Sequence, residues 1–247
     1  MKKILILPLL FLLGSLSAQS LDGAWKMTYQ NGQEVKDKTY IKIYQDGYFS
    51  FGVKENEGNK FVSAGGGEYS LRDNYYTETY DFYTDDKELV GMMVEFSLDT
   101  VDGKIVVSTE KAGNALVEIW ERVSDAKDDL TRNWVITGRK RDEEISRSTP
   151  GARRTIKILS GGHFQWVAFN SETKEFSGTG GGTYTAEDGK YVENIAFFSR
   201  DDSRVGASLE FSYEVIDGEW HHSGMSSTGN PIYEIWSKYK DAYQPEK

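Results

Sequence analysis

Two short stretches of this 247-residue chain set carboxylates among aromatic rings at the two-residue spacing of a strand. Tyr76, Glu78, Tyr80 and Phe82 alternate with Thr77, Thr79 and Asp81, so on an extended backbone the first four share one face. Tyr191, Glu193, Ile195 and Phe197 repeat the arrangement. The next apolar alternations are Met92, Val94, Phe96 and Leu98, then Ala207, Leu209, Phe211 and Tyr213. We read the aromatic faces as inner ones. A carboxylate enclosed by rings needs hydrogen-bond donors or keeps its proton, and its pKa rises; Tyr76 and Tyr191 stand ready as donors. Such a group can anchor the polar end of a ligand in an apolar pocket. With a second carboxylate it could act as acid and base on a sugar, or it could simply be satisfied by neighbours and fix strand register.

Other chemistries find little support. Gly65 to Gly67 and Gly180 to Gly182 lead into no helix and carry no Lys-Ser/Thr ending, so they are not phosphate loops; a strand bend or close backbone approach fits them better. His221 and His222 are adjacent and point to opposite faces of a strand, and no metal site is expected. No nucleophile elbow is present. The absence of cysteine removes disulfides, thiol catalysis and a cysteine-linked lipid anchor from consideration. A non-enzymatic role without a cofactor is the expectation.

The N-terminus reads Met1-Lys2-Lys3, an apolar run from Ile4 to Leu13, then small residues to Ala18. That is the pattern of a secretory signal peptide, taken as residues 1–18, and the run is short for a membrane span. An exported protein, periplasmic or secreted, is expected. Its formal charge of -10 becomes -12 without Lys2 and Lys3. So acidic a surface argues against nucleic-acid binding.

The elements that must position these residues occur twice. Ile41-Lys42-Ile43, Gly47, Phe49 and Phe51 align with Ile156-Lys157-Ile158, Gly162, Phe164 and Trp166 at an offset of 115 residues (156 − 41). The glycine triads and Glu95-Phe96-Ser97 with Glu210-Phe211-Ser212 continue the match, as does, after one inserted residue, Glu118-Ile119-Trp120 with Glu234-Ile235-Trp236. Trp25 meets Trp134 at an offset of only 109 (134 − 25), so copy two has gained six residues (115 − 109) between its first two strands. The expected organisation is copy one at 19–124, a joint at 125–129, copy two at 130–240 and a frayed tail at 241–247. So short a joint predicts barrels packed together.

Copy one alternates β-branched and aromatic runs with turn signals, giving strands at about 23–30, 38–44, 48–54, 61–71, 75–83, 89–98, 104–109 and 115–123. Asp46-Gly47 and Asp102-Gly103 are hairpin turns. Eight antiparallel strands predict an all-β, up-and-down barrel per copy, because closure removes sheet edges; a sandwich is the alternative.

Gly23-Ala24-Trp25 on the first strand with Arg122 on the last resembles the lipocalin pattern, in which a Trp at the closed end packs under an Arg. Copy two has Asn133-Trp134 and Lys238 at those places. Together with the Gly-rich segment ending in Tyr69, Tyr76-x-Glu78 and Glu118-Ile119-Trp120, the chain resembles a family of bacterial secreted lipocalin-like domains of unknown function. That resemblance implies structural roles for Trp25, Arg122, Trp134 and Lys238. It also implies that Glu118 and Trp120, and by symmetry Glu234 and Trp236, face inward. Since the first loop of lipocalin-like barrels often lids the open end, Arg147, Arg153 and Arg154 in the 139–154 insertion are a candidate basic lid.

The expected ligand-binding set is therefore Tyr76, Glu78, Tyr80, Phe96, Glu118 and Trp120 in barrel one. In barrel two it is Tyr191, Glu193, Phe197, Phe211, Tyr213, Glu234 and Trp236. The expected partner is an unidentified small, partly apolar molecule; solid barrels serving a protein partner are the alternative.

Overall fold

The computed structural model describes residues 20–244 except 112, 113, 142 and 227. The signal-peptide reading lies outside these residues. The chain forms two antiparallel sheets, each closed on itself. In the first, β1 (Gly23–Gln30), β3 (Lys38–Gln45), β4 (Tyr48–Glu55), β5 (Phe61–Arg72), β6 (Tyr75–Tyr83), β7 (Met93–Val101), β8 (Lys104–Lys111) and β9 (Asn114–Ser124) pair in sequence order. Pairing of β1 with β9 completes an eight-stranded barrel, and the two-residue β2 (Gln33–Glu34) hangs on β1. In the second, β10 (Arg132–Arg141), β12 (Arg153–Ser160), β13 (His163–Asn170), β14 (Glu175–Glu187), β15 (Lys190–Phe198), β16 (Ser208–Ile216), β17 (Glu219–Met225) and β18 (Pro231–Lys238) repeat the order. Here β10 also carries β11 (Glu144–Arg147), and β10 with β18 closes the barrel. No helix among the described residues is long and apolar enough to cross a membrane.

Turn chemistry sets the register. Asp46-Gly47 and Asp102-Gly103 both have positive φ at their two central residues, the geometry that matches strand twist in a two-residue hairpin. Copy two reaches the same geometry with Gly161-Gly162 and Asp217-Gly218. The sixth predicted strand starts late: Lys87–Leu89 is a 3-10 turn capped by Asp86, and β7 begins only at Met93. Met92 and its counterpart Ala207 are consequently exposed rather than inward.

A bulge in each barrel redirects the fifth predicted strand. Gly66 pairs with Phe82 but Gly67 pairs with Tyr80, leaving Asp81 extra; Gly181 pairs with Phe197 and Gly182 with Ile195. An extra residue reverses the alternation beyond it. Tyr83 and Phe198 turn inward, whereas Phe82 and Phe197 turn out. The bulge depends on glycine: a Cβ on Gly67 would lie 1.8 Å from the Thr79 carbonyl oxygen, and one on Gly182 1.9 Å from that of Asn194.

Those outward rings meet between the barrels. Ile43, Tyr48, Ala64 and Phe82 pack with Val135, Ile156, Ile158, Val167 and Phe169 in one buried cluster, with the Phe82 and Phe169 rings 5.2 Å apart. Phe197 reaches across to Gly52 and Phe61. Arg154 Nη2 pairs with Asp81 at 2.8 Å, and Ser160 donates to Gln45 at 2.7 Å. Tyr239–Ala242 forms one helical turn, α1, with Tyr239 buried against Tyr48 and the Tyr243 ring under Arg154, so the first residues of the tail expected at 241–247 are docked, and residues 245–247 lie outside the described ones.

Candidate functional site

At the closed end of barrel one Trp25 is fully buried, its Nε1–H donating to the Leu21 carbonyl at 2.8 Å. The Arg122 guanidinium lies 4.2 Å from the Trp25 ring and donates to the Asp22 and Ser20 carbonyls, tying down the entering chain. Trp134 repeats the bond to Leu130 at 2.8 Å. Lys238 keeps the register opposite Trp134, but among the described residues no cation lies over that ring. Trp134 instead packs edge-on against the Trp220 ring, 5.8 Å away.

Above this floor each barrel holds a buried ion pair with a lysine absent from the expected set. Lys42 pairs with Glu78 and is 5% exposed; Lys157 Nζ lies 2.7 Å from Glu193 Oε1 and is 4% exposed. Glu78 also accepts the Tyr76 and Tyr80 hydroxyls, each at 2.6 Å, so both its oxygens are engaged. Glu193 accepts Tyr191 at 3.0 Å, and Ile195 stands where a second tyrosine would. Burial works against a charged Lys42, yet the Glu78 carboxylate outweighs it and raises its pKa. Both ammonium groups also face tryptophan: Lys42 is 5.5 Å from Trp120, and Lys157 5.2 Å from Trp236 and from Trp220.

Over the ion pairs lie open cavities. In barrel one it measures about 270 Å³ and is lined by Lys42, Phe51, Glu78, Tyr80, Phe96, Glu118 and Trp120 among others. The barrel-two cavity is about 500 Å³, lined by Lys157, Trp166, Glu193, Phe198, Phe211, His222, Glu234 and Trp236 among others. Tyr76 and Tyr191 sit beneath the cavities as supports of the glutamates, and Tyr213 belongs to the core below. Phe197, expected inside, faces barrel one for the bulge reason given above; Phe198 takes its place.

The second carboxylates differ between copies. Glu118 accepts Trp120 Nε1–H at 3.0 Å and Gln30 at 3.5 Å. Burial holds its pKa above the ordinary value near 4.5, against the pull of Lys42. Glu234 has His222 Nδ1 at 3.6 Å and Arg139 at 3.5 Å. Burial opposes its charge too, but His222, Lys157 and Arg139 win and depress its pKa. His222, 2% exposed, stands where barrel one has Val107, and burial keeps its ring pKa below the ordinary 6.5. Neither ring nitrogen of His222 makes a hydrogen bond, and the Trp236 Nε1–H is likewise buried without an acceptor.

The lid expectation fails for two of its three arginines. Arg147 leaves the mouth to grip Glu219 with two bonds of 2.8 and 2.9 Å, because β11 folds back along β10. Arg154 is buried in the seam between barrels. Arg153 does border the mouth region, on a groove considered below. Sequence reasoning missed Lys42, Lys157, His222, Arg139 and Arg200; the lysines were recoverable, since each repeats at one position of both copies. No group of three or more His, Asp or Glu among the described residues is arranged to hold a metal ion.

No curated protein matches the chain. A match that covers barrel one and the joint stands instead: residues 20–130 fit the sequence model of a family described as "Domain of unknown function (DUF4488)".

Proposed function

We propose that this is an exported, non-enzymatic binding protein of two lipocalin-like barrels, holding a small, partly apolar ligand chiefly in barrel two. The observation that carries the reading is the cavity of about 500 Å³ in barrel two, where Trp166, Phe211 and Trp236 stand beside Lys157, His222 and Glu234. Ligand pockets commonly run from about 300 to 1,000 Å³, which includes barrel two's cavity and leaves barrel one's just short. The Trp25–Arg122 stack supports the lipocalin-like reading of barrel one. Both oxygens of Glu78 are occupied by Lys42, Tyr76 and Tyr80, which favours a structural over an acid–base role.

Native mass spectrometry of the protein from its own host tests this, with an apolar fluorescent probe as a second arm. A bound small molecule, or probe uptake that is lost in Ala168→Trp, is the expected result. Apoprotein alone together with probe uptake indifferent to Ala168→Trp would overturn it.

A further inference from the structure

Barrel two has a second compartment beside its mouth. Strand β10 pairs with β12 only from Arg132 to Val135; beyond that it turns to β11, and the barrel wall opens between them. The inserted loop, through Ser148, Thr149 and Pro150, borders a groove of about 490 Å³ over this gap. Ile136, Arg139, Thr155, Ala168 and Arg200 line both the groove and the barrel cavity, so the two adjoin across these side chains.

The groove is cationic in a strongly acidic protein. Arg139, Arg153, Arg154 and Arg200 line it together with Ser148, Thr149, Thr155 and Ser177, and no carboxylate does. Arg154 is committed to Asp81. The other three have charge to spare: Arg200 donates only to the Ser177 carbonyl, at 3.0 and 2.6 Å, and Arg139 reaches Glu234 only at 3.5 Å. Arg153 has no hydrogen-bond or ion-pair partner among the described residues. The equivalent positions of barrel one hold Gln30, Lys38 and Asp85, for a formal charge of zero against three positive here.

We infer that barrel two takes an amphiphile whose apolar body fills the barrel and whose multiply charged oxyanion head, of the phosphate-monoester class, lies in the groove against Arg139, Arg153 and Arg200. Planar guanidinium forks with nearby hydroxyls suit a tetrahedral oxyanion with several acceptor oxygens. A single carboxylate would leave most of that charge unused. The inference rests on the binding reading above and names its ligand class.

The test compares straight-chain alkyl phosphates with the alkanols and alkanoates of the same chain lengths, by calorimetry at low salt. The phosphates should bind at least about tenfold more tightly than the alkanols, with the alkanoates between, and the margin should shrink as salt is added. Arg153→Gln with Arg200→Gln should bring the phosphates down to the alkanol affinity; Arg153→Gln alone, on an exposed side chain, gives part of that loss if the double variant folds poorly. Phosphates that bind no better than alkanols, or a preference that survives the double variant, would overturn the groove while leaving the barrel as a binding site. Failure of every probe, alkanols included, would count against both.

Discussion

Barrels one and two share a skeleton down to single hydrogen bonds, yet their interiors have opposite characters. Each has a floor tryptophan bonded to a carbonyl four residues earlier, a bulge opposite the last glycine of its triad, and a buried Lys–Glu pair. Above that pair they part. Barrel one closes its polar groups on one another, with two tyrosines on Glu78 and Trp120 with Gln30 on Glu118. Barrel two exchanges Tyr80 for Ile195, Val107 for His222, Gln30 for Arg139 and Asp85 for Arg200, and its cavity has nearly twice the volume. A duplicated fold has kept what holds the barrel shut and changed what the barrel contains.

The largest effects should come from what the barrels share. Removing one member of a buried ion pair strands the other, a loss of about 3–5 kcal/mol. Lys42→Met and Lys157→Met should each show it in urea unfolding, with Lys157→Met the worse because Glu193 keeps one tyrosine donor where Glu78 keeps two. Lys42→Met with Glu78→Leu should recover most of the loss. Equal losses for the two lysine variants would mean that the larger cavity solvates Glu193 and evens the contrast.

The seam comes next. Arg154→Ala breaks the Asp81 pair and uncovers Phe169 and Tyr243, at a cost of about 2 kcal/mol for a charged, partly buried contact. Separate unfolding transitions for the two barrels are the expected signature in calorimetry. A single transition in that variant would show that the apolar cluster alone couples them.

The smallest effects concern the second carboxylates and sharpen the contrast most. Glu118 is raised, so the folded state holds its proton longer than the unfolded one, and its contribution to stability falls as pH rises from about 4.5 to its folded pKa. Glu234 is depressed; its contribution is full above about 4.5 and is lost as pH falls through its folded pKa. His222, also depressed, costs stability as pH falls from about 6.5, where the unfolded ring takes its proton first. At neutral pH, Glu118→Gln should therefore stabilise and Glu234→Gln destabilise. Installing barrel one's residues, Arg139→Gln with His222→Val, should move the Glu234 titration upward in carbon-detected NMR. Parallel titration of Glu118 and Glu234 in the native protein would dissolve the distinction.

Much of this was legible in the chain. The duplication, the all-β barrels, the hairpin turns, the six-residue insertion and the inward Glu78 and Glu193 follow from spacing and turn residues, because strand alternation and positive-φ turns are local properties. Alternation, however, tells which residues share a face and not which face is inside. Ile41-Lys42-Ile43 and Ile156-Lys157-Ile158 look like strands that bury isoleucine and expose lysine. Ile43, Ile156 and Ile158 are indeed buried, but in the seam between barrels, and the lysines are inside. The same holds for Phe82 and Phe197, which a single extra residue in the ladder turned from the interior to the seam. Both faces of these walls are buried, one in a barrel and one against its neighbour, so hydrophobicity could not choose between them. The sequence by itself determined the repeat, the strands and their turns. Only the packing of barrel on barrel decided which side chains face the cavity and that Arg154 is drawn into the seam, because that packing joins residues far apart in the chain, such as Asp81 with Arg154 and Phe82 with Phe169.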